Sequence, residues 1–279
     1  MRSSEYLDRV FGLQGKVAVV TGGYGLIGSA LCRGLAAAGA AIVVLGRREA
    51  ASKELATTIE RQGGHALGVG ADVVDSAQLE TARDLVESQL GRIDILVNCA
   101  GGLASPTSRL QPTQPLFNAD FREATKLVVD LNLMGTVLPT FAFGDQLAAA
   151  DGGVIVNISS GAARQVSPGV MGYSAAKAGV EQLTRWLAVE TAQRYHGRLR
   201  VNAIAPGYIV GGENRSRFIN EQGSLTEAGA MILAHIPVGR FGEPEDLVPP
   251  LLMLCSPASG YVTGVVVPVN GGFALAPGV

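Results

Sequence analysis

Tyr173 and Lys177 stand four residues apart in the run Tyr-Ser-Ala-Ala-Lys, and upstream of them Ser160 closes the apolar stretch Val-Ile-Val-Asn-Ile-Ser-Ser at 154–160. On a helix, that spacing puts a phenol and an ammonium on one face, a turn apart. A phenol with a reference pKa of about 10 is a poor acid–base group at neutral pH, but a neighbouring ammonium favours its anion. A hydroxyl delivered from the end of an adjacent strand can polarise a carbonyl beside that phenol. The chemistry suggested is proton transfer at an oxygen on carbon. Tyr-x-x-x-Lys alone is a common pattern, so its weight depends on the elements that must position it.

Near the N-terminus the sequence builds a phosphate cradle. Lys16-Val-Ala-Val-Val-Thr21 is short, apolar and β-branched, as in a buried parallel strand. It runs into Gly22-Gly23-Tyr24-Gly25-Leu26-Ile27-Gly28, after which a helical pattern continues to about Ala38. Gly23, Gly25 and Gly28 complete G-x-G-x-x-G between strand and helix, the context that raises the motif above chance. Glycines let the backbone turn tightly and approach a pyrophosphate on the positive helix N-terminus. A second strand at 41–45 leads to Gly46-Arg47-Arg48, where an acid would bind the ribose 2′-hydroxyl of NAD and an arginine accepts a 2′-phosphate. Arg47 and Arg48 therefore favour NADP(H), with NAD(H) as the alternative.

Strand-like runs at 17–21, 41–45, 66–70, 93–97, 154–158, 200–204 and 264–269 alternate with helical stretches. This predicts a Rossmann-type α/β fold, a doubly wound parallel sheet with helices on both faces. Ligands bind beyond the carboxyl ends of such strands, and Gly22, Arg47, Asp72, Asn98, Ser160 and Pro206 all follow a strand end. Among 279 residues, one domain at 15–279 is expected after an arm at 1–14. The segment 207–235 interrupts the alternation and reads as a substrate lid. The stretch 101–118, rich in Pro, Ser, Thr and Gln, reads as a pocket rim.

Composition narrows the partners. A formal charge of −2 gives no electrostatic footprint for nucleic acid. Cys32, Cys99 and Cys255 fit neither a disulfide framework nor a metal site, and read as reduced thiols of a cytoplasmic protein. The N-terminus has no apolar signal core, and the uncharged stretch 17–32 is glycine-interrupted and too short for a membrane span. No membrane partner is expected. A mean hydropathy of +0.28 points to a large core and a buried subunit interface. His65, His196 and His235 show no metal or nucleophile arrangement, although His235 borders the lid.

Further motifs give the chain a family likeness. Asn98-Cys99-Ala100-Gly101, Asn132 in Asn-Leu-Met-Gly-Thr, Arg200-Val-Asn-Ala-Ile-Ala-Pro206-Gly207, Pro237-Val-Gly-Arg-Phe-Gly-Glu-Pro244-Glu-Asp246 and Gly264-Val-Val-Val-Pro-Val-Asn-Gly-Gly272 occur in order. With the glycine head, Ser160, Tyr173 and Lys177, they make the chain resemble the short-chain dehydrogenase/reductase family from Lys16 to Phe273. The resemblance implies hydride exchange with a nicotinamide C4. Tyr173 would be the proton donor or acceptor, Lys177 would lower the phenol pKa and bind the nicotinamide ribose, and Ser160, ahead of Ser159, would hold the substrate oxygen. Asn132 would place a water that links Lys177 to solvent. Cofactor contacts are implied at Gly22, Gly23, Gly25, Leu26, Ile27, Gly28, Asp72, Val73, Asn98, Ala100, Gly101, Pro206, Gly207 and Ile209, with Tyr173 and Lys177 on the ribose side. The family's usual glycine is Leu26 here, and Gly211 stands where a threonine often contacts the carboxamide. Related enzymes pair helices like those at 120–148 and 173–196 across a dyad, implying a homotetramer.

The stretches 121–135 and 200–241 look most like the subgroup of D-mannonate oxidoreductases (fructuronate reductases), and imply a sugar-acid substrate. A carboxylate calls for a cation, ideally a bidentate arginine; Arg164 and Arg215 are the candidates. The alternatives are a 3-oxoacyl-thioester or general ketone reductase with an open apolar pocket, and a nucleotide-binding regulator without turnover.

Overall fold

The β-branched run at 17–21 forms an interior strand of a parallel sheet. The computed structural model describes residues 3–103, 108–273 and 275. Among them, β1 (Val17–Thr21), β2 (Ala41–Gly46), β3 (His65–Gly70), β4 (Ile95–Asn98), β5 (Gly153–Ile158), β6 (Leu199–Pro206) and β7 (Val266–Val269) lie in the order β3-β2-β1-β4-β5-β6-β7. Every pairing is parallel.

Strands covered on both faces should be apolar at successive positions rather than alternating, and β1 is buried along its whole length. Its residues part by the two-residue strand period. Ala18 and Val20 enter one core with Leu31 and Leu35 of α2 (Leu26–Ala37), Leu55 and Ile59 of α3 (Glu49–Arg61), and Leu251 and Leu254 of α9 (Val248–Cys255). Val17 and Val19 enter the other, with Leu79 and Val86 of α4 (Ser76–Leu90), Phe143 and Leu147 of α6 (Gly135–Ala149), and Leu187 of α7 (Met171–Arg194). Three helices therefore cover each face. Each such fully buried valine or leucine contributes about 1.5–3 kcal/mol before entropy is charged against it.

The expected arm at 1–14 is in its described part a helix, α1 (Ser3–Phe11), lying against the turn Pro257–Ser259. The long central helix is interrupted: α5 (Ala119–Val129) passes through a π turn, Asp130–Met134, before α6. The continuous stretch Ala119–Ala149 is long and apolar enough to cross a membrane. Here Phe121, Ala124, Val128, Phe143 and Leu147 are buried in the protein's own interior. The 207–235 segment contains a 3-10 turn, Gly212–Arg217, and α8 (Glu227–Leu233). Of 101–118, residues 104–107 lie outside the described part, and Leu110 N–H donates to the Gly169 carbonyl at 2.9 Å.

Candidate active site

Strand order reverses between β1 and β4, and a crevice of about 420 Å³ opens beyond their carboxyl ends. The glycine loop forms its floor. Gly22 has φ +64°, and a Cβ there would come within 2.8 Å of Ala100 Cα; a Cβ on Gly28 would run into the Gly22 carbonyl. Only glycine satisfies both approaches. Thr21 Oγ1 accepts the N–H groups of Cys99 and Ala100, each at 3.1 Å, which ties the second loop to the first. α2 begins at Leu26 with Gly25 extended and no side-chain cap. Its first N–H groups are the kind a pyrophosphate satisfies, so the cradle and helix end fit a dinucleotide.

Gly22, Gly25, Leu26, Ile27, Gly28, Arg47, Val73, Ala100, Gly101, Tyr173, Lys177, Pro206, Gly207 and Ile209 line this crevice, as do Tyr24 and Asn214. Gly23, Arg48, Asp72 and Asn98 do not, and each has another task. Gly23 lets the loop pack against Val44 and Cys32. Asp72 Oδ1 accepts the Val74 N–H at 3.2 Å, closing its own turn. Asn98 is buried, and its Nδ2 donates to Asn157 Oδ1 at 2.9 Å and Thr140 Oγ1 at 3.1 Å. Arg48 lies 4.7 Å from the centroid of the Tyr24 ring. A Cβ on Gly46 would strike that same ring. Tyr24 thus holds the second arginine near the first, and an acid at position 46 would have to displace its ring.

Ser160, Tyr173 and Lys177 converge at the inner end. Asn157 Nδ2 donates to Thr184 Oγ1 at 2.9 Å, completing a buried relay Asn98–Asn157–Thr184 from β4 through β5 to α7. That relay fixes α7, which carries Tyr173 and Lys177, against the strand that delivers Ser160. Ser159 turns inward, donating to the Lys177 carbonyl at 3.3 Å, whereas Ser160 Oγ accepts the Ala162 N–H at 3.2 Å and lines the crevice with Tyr173. Lys177 is 4 % exposed; its Nζ donates to the Ile158 carbonyl at 2.8 Å and lies 5.7 Å from the Tyr173 ring centroid. Asn132 sits in the π turn, fully buried. Its Oδ1 accepts the Gly102 N–H at 3.0 Å, and its Nδ2 donates to the carbonyls of Gly102 and Val128. π turns are rare and cluster at functional sites; this one aims Asn132 at the loop beside Lys177.

Burial pushes the Tyr173 phenol up, against the lowering effect of the Ser160 side chain. Burial also weakens the ammonium itself, drawing Lys177 down to about 8.

A second cavity of about 940 Å³ adjoins the first and shares Ser160, Tyr173, Pro206 and Gly207 with it. Tyr208 forms part of its wall, edge-on to Phe218 at 5.9 Å and to Phe273 at 5.0 Å. Neither expected carboxylate ligand reaches it. Arg164 Nε is 3.1 Å from the buried Glu181 carboxylate, which also takes Arg185. Arg215 is exposed and borders neither cavity. Two arginines that the sequence reading passed over, Arg109 and Arg217, line the cavity instead, with Glu227 and His235. No spacing signal marks them, because the loop and the lid meet only in the fold.

This arrangement has close parallels. The short chain dehydrogenase family model matches residues 16–222. An uncharacterized oxidoreductase, UxuB, of Bacillus subtilis is 39% identical over 275 residues, covering 96% of this chain and 98% of its own. A Haemophilus influenza protein described as a candidate D-mannonate oxidoreductase, solved with bound NAD, superposes with a TM-score of 0.88 at 33% identity, covering 96% of this chain and 98% of its own. A gluconate 5-dehydrogenase from Burkholderia cenocepacia, in complex with NADP and tartrate, gives a TM-score of 0.83 at 32% identity, covering 98% and 100%. With a crevice, a Ser–Tyr–Lys cluster and likeness along nearly the whole length, the chain belongs to the short-chain dehydrogenase/reductase family, enzymes that act on CH–OH groups.

Proposed function

We propose that this protein interconverts a secondary alcohol and a ketone on a sugar acid of the D-mannonate/D-fructuronate type, with NADP(H) favoured as cofactor. The observation that carries the reading is the pair Ser160 and Tyr173, whose side chains line both cavities at once. A substrate oxygen at that junction meets the phenol and the hydroxyl together. When bound, the nicotinamide supplies the carbon that gives or takes hydride. Tyr173 Oη donates a proton to the substrate oxygen in reduction and accepts it in oxidation. Ser160 Oγ holds and polarises that oxygen. Lys177, fixed by the Ile158 carbonyl, presents its amine beside the ring, and Asn132 steadies the Gly102 turn. The 207–235 segment acts as the lid.

Arg47, with Arg48 held over Tyr24, supports the 2′-phosphate preference, and the sugar-acid reading is supported by the likeness to the mannonate and gluconate proteins. The test is dissociation constants for NADPH and NADH, alongside turnover of a sugar-acid panel with each. NADPH is expected to bind about 10- to 100-fold tighter, the range of an arginine–phosphate contact, and Arg47→Ala to erase most of the difference. Equal constants in the parent enzyme reject the NADP preference; no turnover of any sugar acid rejects the substrate.

A further inference from the structure

We propose that Arg109 and Arg217 form a two-armed anion clamp that selects a carboxylate-bearing substrate and draws the lid onto it. The inference rests on the sugar-acid reading above and names the residues that read the acid. The two arginines come from segments far apart in sequence. Arg109 follows β4 on the pocket rim, where its Nη1 donates to the Pro168 carbonyl at 3.3 Å. Arg217 ends the 3-10 turn of the lid, its guanidinium 5.2 Å from the centroid of the Phe218 ring. Both line the cavity that holds Ser160 and Tyr173. Burial lowers the Arg109 pKa, and the charge of Arg217 lowers it further, so the two cations feel one another.

Among the described residues, neither takes part in an ion pair. Arg164 and Arg185 share Glu181, Arg240 clasps Asp246, and Arg194 meets Glu190. Two like charges lining one cavity raise its potential and favour an anion there. Glu227 lines the same cavity and, among the described residues, is in no ion pair with either arginine; it offers an acceptor for a substrate hydroxyl. A guanidinium carries five donors in a planar fork that matches a carboxylate. One carboxylate held by both forks would bridge rim and lid, with the carbinol end of the same chain directed to Tyr173.

The test compares D-mannonate with D-mannitol, which differ in carboxylate against hydroxymethyl at one end. Calorimetric binding of each is measured on the NADPH-loaded parent, Arg109→Leu, Arg217→Leu and Arg217→Lys, with NADPH affinity as the control for folding. Each leucine variant is expected to weaken mannonate about tenfold or more. Mannitol and NADPH should hold within about twofold, and the lysine should restore part of the loss. Mannonate binding that is no tighter than mannitol in the parent, or unchanged in both leucine variants, overturns the clamp. Turnover is scored separately. Arginine-dependent binding without oxidation by NADP⁺ rejects the proposed reaction and leaves the clamp standing, whereas oxidation with arginine-independent binding does the reverse.

Discussion

Tyr173 works in a setting that keeps its proton. Burial raises the phenol and draws Lys177 down to about 8, so at neutral pH the site presents a proton donor beside a weakened ammonium. Reduction needs the protonated phenol and should be flat through neutral pH, falling on the alkaline side. Oxidation needs the phenolate and, with the phenol held above its ordinary value, should keep rising into the alkaline range. Profiles of kcat/KM in both directions check this; an oxidation rate independent of pH contradicts it. At this scale Ser160, Tyr173 and Lys177 were legible because their spacing on one helix and one strand end is local. The arginines that line the second cavity, Arg109 and Arg217, were not. An arginine's use depends on which acid lies beside it, and Glu181, a turn beyond Lys177 on α7, claims Arg164. The Tyr24–Arg48 stack was equally hidden, since it joins two loops across the sheet.

Strand positions were recovered to within about two residues, because apolar β-branched runs ending in glycine or asparagine admit few other structures. The π turn in the central helix was not, since nothing in Asp130–Met134 breaks a helical pattern; the extra residue is needed only to aim Asn132. Two apparent anomalies of the sequence explain each other in space. Leu26 stands where the family has glycine and Gly211 where it often has threonine, and a Cβ on Gly211 would lie 3.0 Å from Leu26 Cδ1. The leucine side chain fills the room that the missing threonine leaves, and joins the glycine loop to the base of the lid. Gly211→Thr alone should weaken cofactor binding, and Leu26→Gly added to it should recover part of the loss. The coupling in that double-mutant cycle is expected at about 0.5–3 kcal/mol, the range for residues in contact. Additive effects on the dissociation constant would show that the two do not interact.

Over the whole molecule, the sheet gathers loops from β1, β2, β4, β5 and β6 along one edge, which is why one crevice can join the glycine floor to the Ser160–Tyr173 pair. The same fold leaves apolar surface uncovered. Leu127 and Phe141 on the central helix and Trp186 and Val189 on α7 are more than half exposed, and β7 is a sheet edge with its valines only partly covered. Apolar faces of this kind mark association surfaces, and an open sheet edge invites pairing or cover. Both fit closed symmetry with two kinds of contact, so sedimentation at micromolar concentration should give a tetramer. A monomer there would contradict the assignment.

The most direct measurement is turnover of D-mannonate with NADP⁺ by the parent and by Tyr173→Phe, alongside NADPH binding to both. The phenylalanine keeps the ring and deletes only the hydroxyl that meets Ser160. Unchanged NADPH affinity with turnover reduced at least about 100-fold, the usual scale of a lost general acid–base group, is the expected result. Turnover within tenfold of the parent, equivalent to about 1.4 kcal/mol of barrier, would remove Tyr173 from the chemistry.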